Sequence, residues 1–260
     1  MARMVTIKAA LIGARGLRWA ANRIVGRLKT EVEPDEATEL TGWLYDRATR
    51  YTRPATQQLG LHDFETAALE EHFPDPPANL LVLGCGGGRE VIALLQRGYE
   101  IVGSDPARNL VEAASEACGD RAMLVVGKVQ DAARFNQHAP FDGVIVGWGA
   151  WGYVLQASER VEALRCLAAL CPAGPVLLSW PHRRTEAVHT GAGADGVPGQ
   201  WTETTGESWR DNLVVNPGTG FSVKLGIEDI RAEAAKAGFT VAHDGAQTRG
   251  YAHVVLVPQG

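Results

Sequence analysis

The stretch LLVLGCGGGREVIALL, residues 80–95, decides the fold. Leu80 to Leu83 form a continuous apolar run, the pattern of a strand buried on both faces of a parallel sheet. Glycines follow at 84, 86, 87 and 88, and a helical pattern opens at once over Glu90 to Arg97. Glycines permit a tight turn and let a ligand approach the backbone closely. The helix behind them offers unpaired N–H groups and the positive end of its dipole. In an open parallel sheet this carboxyl edge is where ligands bind.

Outward from the turn, strands and helices alternate. Strands are expected at Glu100 to Gly103, Met123 to Val126, Phe141 to Val146, Val176 to Trp180, Phe239 to His243 and His253 to Val257. Helices are expected at Leu110 to Cys118, Glu159 to Leu170 and Ile227 to Ala237, the last stopped by Gly238. This alternation predicts an α/β fold, a doubly wound and mostly parallel sheet with helices on both faces. The last two strands lack a helix between them, which predicts an antiparallel pair at one edge. Residues 181–224 break the rhythm and read as an excursion over the site. Upstream, residues 1–75 read as a helical cap on a core of residues 76–260. Its helices are placed at 6–29, 35–50 and Asp63 to His72, the last ending before Pro74-Asp75-Pro76-Pro77.

Composition narrows the class. The 260 residues are 45% apolar and 21% charged, as in an ordinary soluble globular protein. No run approaches the ~18 apolar residues of a membrane span. A net charge of −5 gives no reason to expect a nucleic-acid partner. Residues 1–30 nevertheless carry seven basic side chains and no acidic one, leaving −12 on the rest. The amphipathic stretch 6–29 has three readings: packing on the core, peripheral contact with an anionic inner membrane face, or homodimerisation through its apolar stripe. Cys85, Cys118, Cys166 and Cys171 have neither metal nor redox spacing and read as thiols of a reducing cytoplasm.

Asp105 lies 21 residues after Gly84, at the end of the second strand. A carboxylate there can accept hydrogen bonds from both hydroxyls of a ribose, so turn and acid together indicate an adenosine-type cofactor. A dinucleotide fingerprint needs a small residue at position 89, and the chain has Arg89. A Walker loop needs G-K-[ST], which does not follow.

The segments LLVLGCGGG, VGSDPARNLVEAA, FDGVIVGWG and IEDIRAEAAKAGF occur in this order across residues 78–257. Together they resemble the class I S-adenosylmethionine-dependent methyltransferase family. The resemblance implies a seven-strand Rossmann-like sheet with the last strand inserted antiparallel, S-adenosyl-L-methionine as cofactor and S-adenosyl-L-homocysteine as product. By this resemblance Gly84, Cys85, Gly86 and Gly88 face the methionyl part, and Asp105 with Pro106 the ribose. Val129, Asp131 and Gly147 complete the expected cofactor contacts. Two positions depart from the family. Val82 stands where an acidic residue is usual, so the contact to the cofactor's amino group is assigned to Asp46 or Glu65 of the cap. Lys128 stands where an aspartate is usual after the third strand, and Asp131 lies three residues further on.

Methyl transfer from a sulfonium is an in-line displacement. It needs alignment and, for some acceptors, removal of a proton. Trp148, Trp151 and Tyr153 could form an aromatic wall for a cationic donor, with Gly147, Gly149 and Gly152 leaving space beside it. Tyr45 and Tyr51 of the cap could close over the acceptor. His182, directly after the fifth strand, is the candidate general base. Arg183, Arg184, His189, Trp201 and Trp209 lie in the excursion. The reading is a cytoplasmic enzyme that methylates oxygen, nitrogen or sulfur of a small molecule. Three alternatives stand beside it: a lipid or quinone methyltransferase anchored by its basic helix, a non-catalytic cofactor-binding or scaffold protein, and an enzyme of this fold that carries out a rearrangement or decarboxylation without methyl transfer.

Overall fold

The computed structural model describes residues 26–182, 209–216, 218–246 and 251–259. Residues 6–25 of the basic amphipathic stretch lie outside them, as do Arg183, Arg184, His189 and Trp201. Residues 26–31 are helical, and Leu28 is buried in the main core. Helix α1 (Pro34–Tyr45) begins with proline in its first turn, and the Glu36 carboxylate accepts the Glu33 N–H. Proline fits there because its missing N–H would have no helical partner. The helix expected over 35–50 stops at Tyr45. A 3₁₀ turn (Thr49–Thr52) and a one-turn helix (Pro54–Gln57) follow. Helix α2 (Asp63–His72) is closed at its start by Glu65 on the His62 N–H.

The core then runs β1 (Asn79–Leu83), α3 (Arg89–Gln96), β2 (Glu100–Asp105), α4 (Arg108–Cys118), β3 (Ala122–Val126), β4 (Gly143–Val146), α5 (Ala157–Leu170) and β5 (Val176–Pro181). After the excursion come α6 (Ile227–Lys236), β8 (Phe239–Ala246) and β9 (Tyr251–Pro258). The excursion itself contains a hairpin that the sequence reading missed, β6 (Leu213–Asn216) with β7 (Gly220–Val223). The main sheet has seven strands in the order β3-β2-β1-β4-β5-β9-β8. The first five are parallel, and β9 is antiparallel to both neighbours, as expected.

Strand periodicity divides the interior. Leu81 and Leu83 of β1 face one apolar cluster, shared with α1, α5, α6 and β7; Leu80 and Val82 face a second, shared with α2 and α3. Arg160 joins α5 to α6 through a buried two-bond pair with Glu233, and its remaining amine bonds the Val154 and Leu155 carbonyls. The hairpin docks on α1, where the Thr41 hydroxyl accepts the Phe221 N–H. These contacts bring α1, the glycine turn and the ends of β2, β4 and β5 to one edge. No helix among the described residues is long and apolar enough to cross a membrane.

Candidate functional site

The site begins at the turn after β1. Gly84 and Gly88 have φ of 72° and 96°, values closed to most side chains, and Gly88 is the residue from which α3 starts. The N–H groups of Gly84 and Cys85 both bond the Ser104 carbonyl, so the turn is tied to the end of β2. There Asp105 is buried, with one carboxylate oxygen accepting the Gly86 N–H and the other the Ala107 N–H, each at 2.9 Å. Burial pushes this carboxyl up to about 6, against the pull of those two backbone bonds. A carboxylate has about four acceptor positions, so two remain. Pro106 is exposed beside it. Burial pushes the neighbouring Cys85 thiol well up, so it is not a nucleophile here.

The cap meets the same groups. The Tyr51 carbonyl abuts Gly87 so closely that any Cβ there would overlap it. Gln57, itself buried, donates to the Gly87 and Ala113 carbonyls. Asp46 accepts the N–H of Asn109 at 2.9 Å and so caps α4 from another part of the chain. Asp46 is therefore committed to a helix terminus.

Glu65, the other residue expected to meet the cofactor's amino group, is also committed. Arg89 holds it by two bonds of 2.7 Å and also bonds the Gly60 carbonyl. Arg89 does not crowd the sheet, because it extends toward the cap, where α2 supplies its acid. Its second partner, Glu90, was not expected as a site residue. Glu90 is 5% exposed, bonds Arg89 at 2.5 Å, and accepts the Trp148 N–H at 3.3 Å. It thus lies between the glycine turn and the loop after β4. An acid in the first turn of a helix ordinarily complements the dipole, which hid this role in the sequence. Two buried carboxyl groups, Glu65 and Glu90, thus share one guanidinium, a third, Asp105, is buried at the glycine turn, and among the described residues no second cationic side chain bonds any of the three. Excess buried negative charge costs several kcal/mol unless a cation joins it.

Aromatic residues form two groups. Tyr45 and Tyr153 share a hydroxyl–hydroxyl bond of 2.6 Å, with the Tyr51 ring centroid 5.5 Å from that of Tyr45. Burial pushes both bonded phenols up. Trp148 packs between His62 and Tyr251, at ring distances of 4.8 and 4.9 Å, and its buried Nε1 has no hydrogen-bond partner. Trp151, expected on the same wall, is fully buried in the main core, where no ligand can touch it. The nearby glycines do not leave space either. Gly147 abuts the Gly84 carbonyl, Gly149 the Tyr251 ring and Gly152 the Pro181 ring, so they serve close packing.

His182 lies where β5 leaves the sheet, half-buried and bridged to Leu225. Trp209 packs against the main core and under Arg210. Val129 is buried at the start of a 3₁₀ segment (Val129–His138), whereas Asp131 is exposed and turned back onto the Lys128 N–H.

Residues 80–174 match a family described as a methyltransferase domain. No curated protein matches the chain. Among solved structures, the chain resembles the CcbJ methyltransferase of Streptomyces caelestis at 17% identity, with 84% of this chain and 98% of that one covered and a TM-score of 0.60. It also resembles the 1,6-didemethyltoxoflavin-N1-methyltransferase of Burkholderia thailandensis, solved with 1,6-didemethyltoxoflavin and S-adenosylhomocysteine (15% identity, 88% and 92% covered, TM-score 0.61). A third is an amino pentose methyltransferase of calicheamicin biosynthesis from Micromonospora echinaspora (18% identity, 92% and 95% covered, TM-score 0.55). Residues 80–174 thus carry a methyltransferase domain, and the fold of the chain is that of the solved S-adenosylmethionine-dependent methyltransferases it resembles.

Proposed function

We propose that this methyltransferase acts on a small-molecule acceptor, transferring the methyl group of S-adenosylmethionine to oxygen, nitrogen or sulfur. The observation that carries the cofactor half is the surplus of buried carboxyl groups around Arg89 and the glycine turn. S-adenosylmethionine brings an ammonium and a sulfonium to such a site, and the sulfonium supplies the activated methyl group. Asp105 has two acceptor positions left for the two ribose hydroxyls. Glu90 takes the part that the family gives to the residue at Val82, as the carboxylate nearest the methionyl amine. The turn from Gly84 to Gly88, with Gly147 opposite, holds the methionyl chain. Pro106, Val129 and the backbone beside Asp131 border the adenosine.

Tyr45, Tyr51, Tyr153 and Trp148 form the acceptor side, the Trp148 N–H waiting for an acceptor atom. His182 at the same sheet edge serves as the base for an acceptor that must lose a proton. Two of these neighbours are methyltransferases named for small or natural-product substrates, 1,6-didemethyltoxoflavin and an amino pentose, which favours an acceptor of that size. The test has two parts. Calorimetry should detect S-adenosylhomocysteine binding at one site, and no binding at millimolar ligand would overturn the reading. With methyl-labelled S-adenosylmethionine and a cell extract, label should enter the small-molecule fraction; label confined to protein, lipid or nucleic acid would overturn the acceptor class.

A further inference from the structure

We propose a divalent transition-metal site of the zinc class, formed by Glu71, His72 and His243, that clamps the end of α2 to the edge strand β8. Nothing in the methyltransferase reading uses these residues. One ligand atom from each lies within 4.8 Å of the others, close enough for small side-chain adjustments to enclose one ion. His72 Nε2 is buried, makes no hydrogen bond and lies 3.8 Å from Glu71 Oε2. A buried ring nitrogen without a donor or acceptor is costly, and a metal ion would satisfy it.

The backbone points to the same place. Strand β8 has an irregularity between Val241 and His243: Val241 pairs with Leu256 but His243 pairs with Val255. Leu256 and Val255 are consecutive, so they face opposite sides of the sheet. Ala242 is therefore an extra residue. It turns His243 onto the α2 side, with Val255, whereas an unbroken strand would leave it on the Val241 side. Bulges of this kind re-aim side chains at sheet edges. The turned ring comes within 5.9 Å of the His72 ring, centroid to centroid, and stacks at 5.6 Å on buried His253.

Two imidazoles and one carboxylate suit zinc, copper or nickel rather than calcium or magnesium, which take oxygen ligands. Glu71 is 63% exposed, so the remaining coordination positions open to water. A closed structural site has four protein ligands, so three describe an open, exchangeable one. The ion would tie a helix of the cap to the outermost strand of the sheet.

The test uses the full chain without an affinity tag, stripped with chelator, dialysed and titrated with zinc chloride in a calorimeter. The expected result is one equivalent bound with a rise in melting temperature, and no rise with magnesium. His72→Ala and His243→Ala should each weaken zinc binding by about tenfold or more and remove the rise, while His138→Ala, a half-buried imidazole elsewhere, should leave both intact. Circular dichroism of the metal-free variants should match the parent, separating loss of ligand from loss of fold. No zinc-dependent rise in the parent, or equal zinc affinity in parent and both histidine variants, would overturn the proposal.

Discussion

Replacing Asp105 with Asn separates the two jobs this carboxyl performs. Burial holds it at about 6 against the usual 3.8, so the folded protein binds its proton more tightly than the unfolded chain does. The contribution to stability is therefore full below pH 3.8 and is lost as pH rises through 6. Each tenfold change in acidity is worth about 1.4 kcal/mol, so the ionised group costs the ligand-free protein about 3 kcal/mol at pH 7. Asn removes that cost. It also has a single acceptor oxygen, so it cannot receive both the Gly86 and the Ala107 N–H. The N–H left unpaired costs about 1–3 kcal/mol. The two effects nearly cancel, and Asp105→Asn should be between neutral and about 2 kcal/mol more stable than the parent at pH 7. Ligand binding has no such compensation. Losing one hydrogen bond to an ionised acceptor costs about 1.5–3 kcal/mol, so S-adenosylhomocysteine should bind about 10- to 150-fold more weakly. Urea denaturation at pH 5 and 7.5, with calorimetry at the same two values, reads both quantities. The parent's affinity should fall toward the acid side of pH 6, and that dependence should vanish in the variant. A variant that kept parental affinity while losing more than about 3 kcal/mol of stability would show that Asp105 is only a structural acceptor.

Two further substitutions probe the rest of the site. Glu90→Gln keeps a side chain able to bond Arg89 or the Trp148 N–H but loses the charge. It should weaken S-adenosylhomocysteine binding by about tenfold, the effect of one charged hydrogen bond, and leave 5′-methylthioadenosine, which lacks the amino acid part, unchanged. Equal loss for both ligands would remove Glu90 from the methionyl end. Gly87→Ala puts a methyl group against the Tyr51 carbonyl and should cost about 1–3 kcal/mol in thermal unfolding. Parental stability together with parental ligand affinity would mean that the cap does not rest on the turn.

The sheet was legible because each of its strands carries its own signal. Leu80 to Leu83 is apolar without a break, and the glycines behind it admit few other structures. The β6–β7 hairpin had its signal too, a Pro217-Gly218 dipeptide between two apolar runs, but it lay within a stretch read as one long loop. The site was legible only where function and local sequence coincide, at the turn and at Asp105. Arg89 could be seen to exclude a dinucleotide, yet its destination depends on Glu65, 24 residues upstream beyond a proline-rich break. Trp151 illustrates the opposite error. Its neighbours in sequence, Trp148 and Tyr153, are half-buried at the site, whereas Trp151 turns into the core. A 3₁₀ turn over Ala150–Tyr153 fixes that divergence, and its onset leaves no mark in composition.

Tyr51 and Gln57 touch the glycine turn to which the cofactor is assigned, and Asp46 of the same cap holds the first turn of α4 beside it. Docking of the cap and occupancy of the site are thus linked equilibria, and each should favour the other. The linkage has a kinetic face. If the cap must lift to admit a ligand, the observed association rate will level off at the rate of lifting as concentration rises. A molecule open one time in a hundred would also bind about a hundredfold more weakly than its closed geometry allows. Substitutions at the Asp46–Asn109 contact would then alter the rates of entry and exit together, with no change to any group that touches the ligand.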